Sequence, residues 1–211
     1  MLRQYEQLWN DKQWRLAVLS GLVLLLLSFA TSIFSNNYAS LVAGQAVGDL
    51  LLDRLPLMDV TVLHVYAATT FWLGMLVVCL ANPAYLPFAL KTTAVFLLVR
   101  AVFVALTHLG APNNLLEVPD NLTSLYIAKG DLFFSGHVGG PFLFALIFWE
   151  KTAIRFICLV ASIFFAVIVL LGGIHYSIDV FAAYFISHSI CLTMKKRSRD
   201  WVFVERQLDR M

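Results

Sequence analysis

The sequence predicts an all-α, polytopic membrane protein, and three observations carry that prediction. Hydrophobic residues fill 60% of the 211 positions against 13% charged, with a mean hydropathy of +0.80. A soluble core of this size would need a polar shell that the chain does not contain. The apolar residues also gather into runs of about 17–25 residues, the length that crosses a bilayer as a helix. Finally, the lysines and arginines cluster on one side of those runs, as short cytoplasmic loops require.

Six runs qualify: Leu16 to Phe34, Thr61 to Leu80, Leu86 to Leu109, Leu132 to Trp149, Ala153 to Leu171, and Tyr176 to Met194. They imply one membrane domain over 1–211, with a core at 16–194 and a basic cytoplasmic tail at 195–211. Residues 1–15 place Leu2, Tyr5, Leu8 and Trp9 at roughly helical spacing between charges. That pattern suits a helix lying in the interface, and a frayed polar tail equally. The acids and aromatics there, with no small-residue cleavage site after the first run, argue for a retained segment over a signal peptide. Between the first two runs, LVAGQAVGDLLLDRLP is too broken to cross and is expected to lie as a surface cover. Cys79, Cys158 and Cys191 sit in apolar runs at spacings of neither a zinc site nor a redox pair, and are read as core or lipid-facing thiols.

Arg3, Lys12, Arg15, Lys91, Lys151, Arg155, Lys195, Lys196, Arg197, Arg199, Arg206 and Arg210 fall on one side of the six runs. Arg54 and Lys129 fall on the other, and Arg100 lies inside the third run. Both termini are therefore expected in the cytoplasm. Trp14, Trp149 and Trp201 fall at that same interface, as an aromatic belt does.

This orientation brings the chemistry-bearing stretches to the opposite face. Lys129 to His137, KGDLFFSGH, enters the fourth run from outside, Ile174 to Asp179, IHYSID, enters the sixth, and Arg100 lies in the outer half of the third. Ionisable groups beside apolar spans are expensive and mark function. His175 and Asp179, four apart, share a face if helical. The carboxylate then fixes the imidazole tautomer and leaves the other nitrogen to attack or accept a proton. His137 is placed to supply a second proton-transfer group. With Arg100 offsetting charge on non-bridging oxygens, the set suits attack on phosphorus. Ser135 and Gly136 suit an anion at a helix start. A zinc site of His137, His175 and Asp179 is the competing reading, without HExxH or cysteine-rich spacing to support it.

His108 is a candidate to line the mouth of the same site, whereas His64 and His188 lack such company and are read as packing or hydrogen-bonding residues. Asn121-Leu122-Thr123 matches a glycosylation acceptor. Pro141 would clash with the His137 carbonyl in a helix, so a kink eased by Gly139 and Gly140 is expected, the alternative being a helix that starts there.

Gly130-Asp131-x-x-Phe134-Ser135-Gly136-His137 and His175-Tyr176-Ser177-Ile178-Asp179-Val180, followed by Ala182-Ala183-Tyr184, resemble the sphingomyelin-synthase branch of the type 2 phosphatidic acid phosphatase (PAP2) superfamily. Leu55-Pro56-Leu57-x-Asp59 is similar to it more weakly. The resemblance implies a six-transmembrane-helix bundle acting at the non-cytoplasmic face. His175 would be the nucleophile, Asp179 its orienting partner and His137 the acid. Arg100, Lys129, Asp131, Ser135, Gly136 and Tyr176 would bind substrate. The implied activity is transfer of a phospho-head group from a glycerophospholipid donor to a lipid hydroxyl acceptor through a phosphohistidine. A lipid phosphatase of the same fold and a catalytically inert lipid-binding scaffold are the alternatives; a transporter fits less well, with no inverted repeats visible. No cofactor, metal or nucleic-acid partner is expected. The phosphatase branch carries cations ahead of both motifs, whereas Val169 to Ile174 holds none, which tilts the substrate toward a singly charged diester. Lys129, where the sphingomyelin-synthase branch commonly has cysteine, argues the other way.

Overall fold

The computed structural model describes residues 2–112 and 133–208. They form eight α-helices: α1 (Leu2–Trp9), α2 (Lys12–Val42), α3 (Thr61–Ala81), α4 (Leu86–Leu106), α5 (Gly136–Ile147), α6 (Thr152–Leu171), α7 (Ser177–Arg197) and α8 (Arg199–Leu208), with a 3₁₀ turn at Leu52–Arg54. No strand occurs among the described residues. α2, α3, α4, α6 and α7 are long and apolar enough to cross a membrane, and α5 is a shorter apolar helix.

The polarity is that of a lipid-facing bundle. Leu26, Phe34, Val77, Phe156 and Phe185 are exposed on the outside. Ser28, Ser35, Ser162 and Ser187 are buried inside, where their hydroxyls, lacking water, turn to backbone carbonyls. Ser35 donates to the Ala101 carbonyl at 2.5 Å, joining α2 to α4. Ser162 donates to Val138 at 2.9 Å and Ser187 to Gly139 at 3.1 Å, joining α6 and α7 to α5. The three cysteines are buried free thiols.

α5 is the central element. Its 12 residues span about 18 Å at the α-helical rise, short of the roughly 30 Å hydrocarbon thickness. Of the expected run from Leu132 to Trp149, the described residues are helical only over Gly136–Ile147, because Ser135 takes an extended N-cap conformation and the chain turns at Phe148. The helix continues through Pro141 and starts well before it. Gly139 and Gly140 serve close packing: a Cβ on Gly139 would stand 2.7 Å from Ser187 Oγ, and one on Gly140 2.6 Å from the Trp72 ring.

α2 overruns its expected end at Phe34 by a further two turns. Asp11 caps its start by accepting from the backbone of Gln13 and Trp14. α4 stops at Leu106, short of the expected Leu109, because Thr107 is extended.

One end of the bundle carries both α1 and α8. There Trp14 Nε1 donates to the Pro83 carbonyl at 3.0 Å, and Tyr5 donates to Leu80 at 2.7 Å. Tyr85 stacks on Phe148 with ring centroids 4.7 Å apart, Trp201 packs on Phe88, and Lys195 lies 4.0 Å above the Trp201 ring. Lys91 pairs with Asp200 at 2.8 Å. The aromatic and basic residues expected at one interface thus gather at one end. The motif-bearing helix ends lie at the other.

Candidate active site

A left-handed glycine creates the turn that presents His175. α6 closes with Gly172 N–H donating to Ile168, and Gly173 follows at φ 61°, a conformation that costs a side-chain-bearing residue but not glycine. The chain folds back so that the Ile174 amide donates to Val169 at 2.9 Å. The chain bends at His175, Tyr176 is extended, and α7 begins at Ser177.

Asp179, in the first turn of α7, reaches back to accept the Tyr176 amide on Oδ2 at 2.9 Å, half of a capping box. The same oxygen stands 3.5 Å from His175 Nδ1. The expected pairing is present but its origin differs. His175 precedes the helix, so the carboxylate meets it through capping geometry and not along a helix face. At 3.5 Å this is an ion-pair contact longer than a good hydrogen bond. His175 Nδ1 and Asp179 Oδ1 have no hydrogen-bond partner among the described residues, and both side chains are buried.

The start of α5 forms the facing wall. The Ser135 amide donates to the Asp179 carbonyl at 3.2 Å, tying the two motif stretches together directly. Arg100 crosses from α4, its Nε donating to the Phe134 carbonyl at 2.8 Å. The bare Cα of Gly136 accommodates it, since a Cβ there would stand 3.2 Å from Nε. Arg100 is the one lysine or arginine among the buried described residues. Ser135 Oγ is buried without a hydrogen-bond partner there. His137, in the first turn of α5, is partly exposed and lies within electrostatic reach of His175 and Arg100. Two helix N-termini thus converge beside a guanidinium, an arrangement that favours an anion.

The segment between α2 and α3 lies over this end as a cover. Gly44 N–H donates to the His108 carbonyl at 2.9 Å, Gly110 to Gln45 at 3.2 Å, and Met58 to Leu171 at 2.9 Å. Asp49 clasps it to α7: Oδ1 accepts the Leu51 and Leu52 amides, and Oδ2 accepts the Ser177 amide at 2.7 Å and its hydroxyl at 2.8 Å. Burial pushes the Asp49 carboxyl up, but these hydrogen bonds outweigh it and hold the group below its ordinary value.

Other expected site residues fall elsewhere. The Tyr176 hydroxyl is committed to the cover, donating to Gly110 at 2.9 Å and accepting from Val47 at 3.2 Å. The His108 ring is exposed, its Nε2 3.2 Å from the Ala105 carbonyl and the ring in an edge contact with Tyr38. His188 is exposed and does not pack in the core. Lys129, Asp131 and Asn121 to Thr123 lie outside the described residues. No cluster of three His, Cys, Asp or Glu side chains arranged to hold a metal occurs among the described residues.

His64 is the residue that sequence reasoning missed. Fully buried at the start of α3, its ring centroid is 4.3 Å from that of His137. The signal was present: an ionisable side chain inside an apolar span, five residues after Asp59.

An all-helical membrane protein with histidines, an aspartate and an arginine converging at one end of the bundle is the class that this architecture defines. A family model described as PAP2 superfamily C-terminal matches residues 130–196, the stretch holding α5, α6 and nearly all of α7 with both histidine motifs. The match supports a place in the PAP2 superfamily and phosphatase or phosphotransferase chemistry. No curated protein and no solved structure matched the chain.

Proposed function

We propose that the protein is a membrane lipid phosphotransferase that moves a phospho-head group from a glycerophospholipid to a lipid hydroxyl. The observation that carries the reading is the meeting of His175–Asp179 with His137, Arg100 and two helix N-termini, inside the stretch that matches the family model. His175 Nε2 attacks phosphorus while Asp179 steadies the charge developing on the ring through Nδ1. As the bond from phosphorus to the diacylglycerol oxygen breaks, His137 gives that oxygen its proton. Arg100, Ser135 and the helix-start amides hold the non-bridging oxygens. An acceptor hydroxyl then attacks the phosphohistidine, its proton passes to His137, and the nitrogen–phosphorus bond breaks to free His175.

One buried arginine among the described residues suits a phosphodiester monoanion better than a phosphomonoester dianion. An apolar groove between α4 and α7, lined by Val95, Val99, Phe103, Ile186, Ile190 and Met194, opens sideways, as an acyl chain would need. Phe103 also packs against Phe134, whose carbonyl holds Arg100, so the groove adjoins the site. In the bilayer this reading takes α5 as a sixth crossing segment, sets both termini in the cytoplasm and turns the site to the non-cytoplasmic face. A lipid phosphatase is the second reading: water in place of the acceptor gives it without any change to the site.

The test is purified protein with head-group-labelled phospholipid, with and without diacylglycerol or ceramide. An acceptor-dependent labelled lipid is expected, and His175→Ala should abolish it while the protein still purifies folded. Free phosphate regardless of acceptor would favour the phosphatase, and full activity of H175A would refute the mechanism.

A further inference from the structure

His64 is buried deeper than any role in packing requires. Its ring is fully enclosed, and neither nitrogen has a hydrogen-bond partner among the described residues. A neutral imidazole carries one donor and one acceptor, and leaving either unmet in an apolar interior costs about 1–3 kcal/mol. A span this apolar offers many residues that would fill the space more cheaply.

The neighbours show what the nitrogens can meet. His64 on α3 and His137 on α5 stand with ring centroids 4.3 Å apart at 60°, and Phe165 of α6 packs against both rings, at 6.4 Å and 6.0 Å. His137 is partly exposed toward the site, whereas His64 lies sealed behind it. Histidine χ2 is a broad torsion, so a small rotation sets a nitrogen of one ring against a nitrogen of the other. His64 also lies within electrostatic reach of His175.

We infer that His64 is a positioning residue for His137: its neutral ring accepts the inward N–H of His137, which fixes the outward nitrogen as the one that exchanges a proton with substrate. This rests on the transfer reading above. Protonated His137 then has one N–H held by His64 and the other aimed at the departing oxygen. After the proton leaves, the inward N–H remains on His137, so the bare outward nitrogen is already in place to take the proton of the acceptor hydroxyl. The proton count at His64 does not change during the cycle. A carboxylate at this position would hold the same tautomer, but it would add negative charge beside a phosphate; a neutral histidine does not.

The experiment compares His64→Phe, His64→Gln and wild type in detergent-solubilised full-length protein, on a natural phospholipid and on its p-nitrophenyl counterpart, which leaves without needing a proton. Thermal unfolding confirms that each variant is folded. Phe keeps the ring packing and removes both nitrogens; Gln retains one acceptor and serves if H64F does not fold. On phospholipid, H64F should lower kcat by about 10²-fold or more, the scale of general acid–base catalysis, with KM little changed, and H64Q should recover part of that loss. In the first turnover on the nitrophenyl ester, read as nitrophenolate released before the acceptor step, the H64F deficit should be at least about tenfold smaller. In a His137→Ala background H64F should add less than about threefold, because coupled residues are not additive. Equal deficits on the two esters, or no deficit on phospholipid, overturn the role of His64 alone. Wild-type protein that turns over neither ester overturns the transfer reading and this role with it.

Discussion

Removing the Asp49 carboxylate should unfasten the cover from the catalytic helix. Asp49→Ala deletes the acceptor for the Leu51, Leu52 and Ser177 amides and the Ser177 hydroxyl. A hydrogen bond to a charged group contributes about 1.5–3 kcal/mol, and a donor left unmet costs about 1–3 kcal/mol. The bond at Leu52 is buried and the other three are part-buried, so water will replace part of the loss and about 2–4 kcal/mol is expected. At a factor of ten per 1.4 kcal/mol, amide exchange at Leu52 and Ser177 should quicken by about 30- to 700-fold. Asp49→Asn, with one acceptor oxygen left, should fall between. Hydrogen exchange read by mass spectrometry over the cover and the start of α7 measures both. Changes below about threefold in each peptide would show that the clasp does not hold the cover. The pH dependence has a fixed sign. A carboxyl depressed on folding contributes in full above its ordinary value of 3.8 and loses that contribution as pH falls through the lower folded value. The clasp should therefore be insensitive to pH from about 5 to about 9 and loosen only in strong acid.

Two further outcomes follow from the site's construction. Gly173→Ala places a side chain at φ 61° and should cost about 1–2 kcal/mol in thermal unfolding, with reduced turnover because the turn carries His175. Gly74→Ala, which meets nothing within 4 Å, is the control that should not lose stability. Arg100→Lys keeps the charge but loses the Nε donor to Phe134 and the planar fork. Its kcat/KM should drop about 10- to 100-fold, the equivalent of one charged hydrogen bond, and wild-type kinetics would remove Arg100 from phosphate binding.

The overall class was legible in one dimension because it follows from sums and spacings. Apolar runs long enough to cross a bilayer, and basic residues at one end of them, require no knowledge of which helix touches which. The partnership of His175 with Asp179 and of both with the α5 motif could be anticipated for the same reason: each lies at the start of an apolar run on a shared side. Contacts between runs were not legible. His64 looked solitary because nothing in sequence spacing says that α3 turns its first-turn histidine onto α5. Asp49 looked like one acid in a broken apolar stretch until folding laid it across the α7 N-terminus. Tyr176 and His108 were drawn toward the site by proximity along the chain, yet side-chain direction, which packing sets, sends one into the cover and the other onto α2. Composition and periodicity report what each segment prefers as solvent; which buried polar groups meet depends on helix rotation and register, and those are fixed by interdigitation across the bundle.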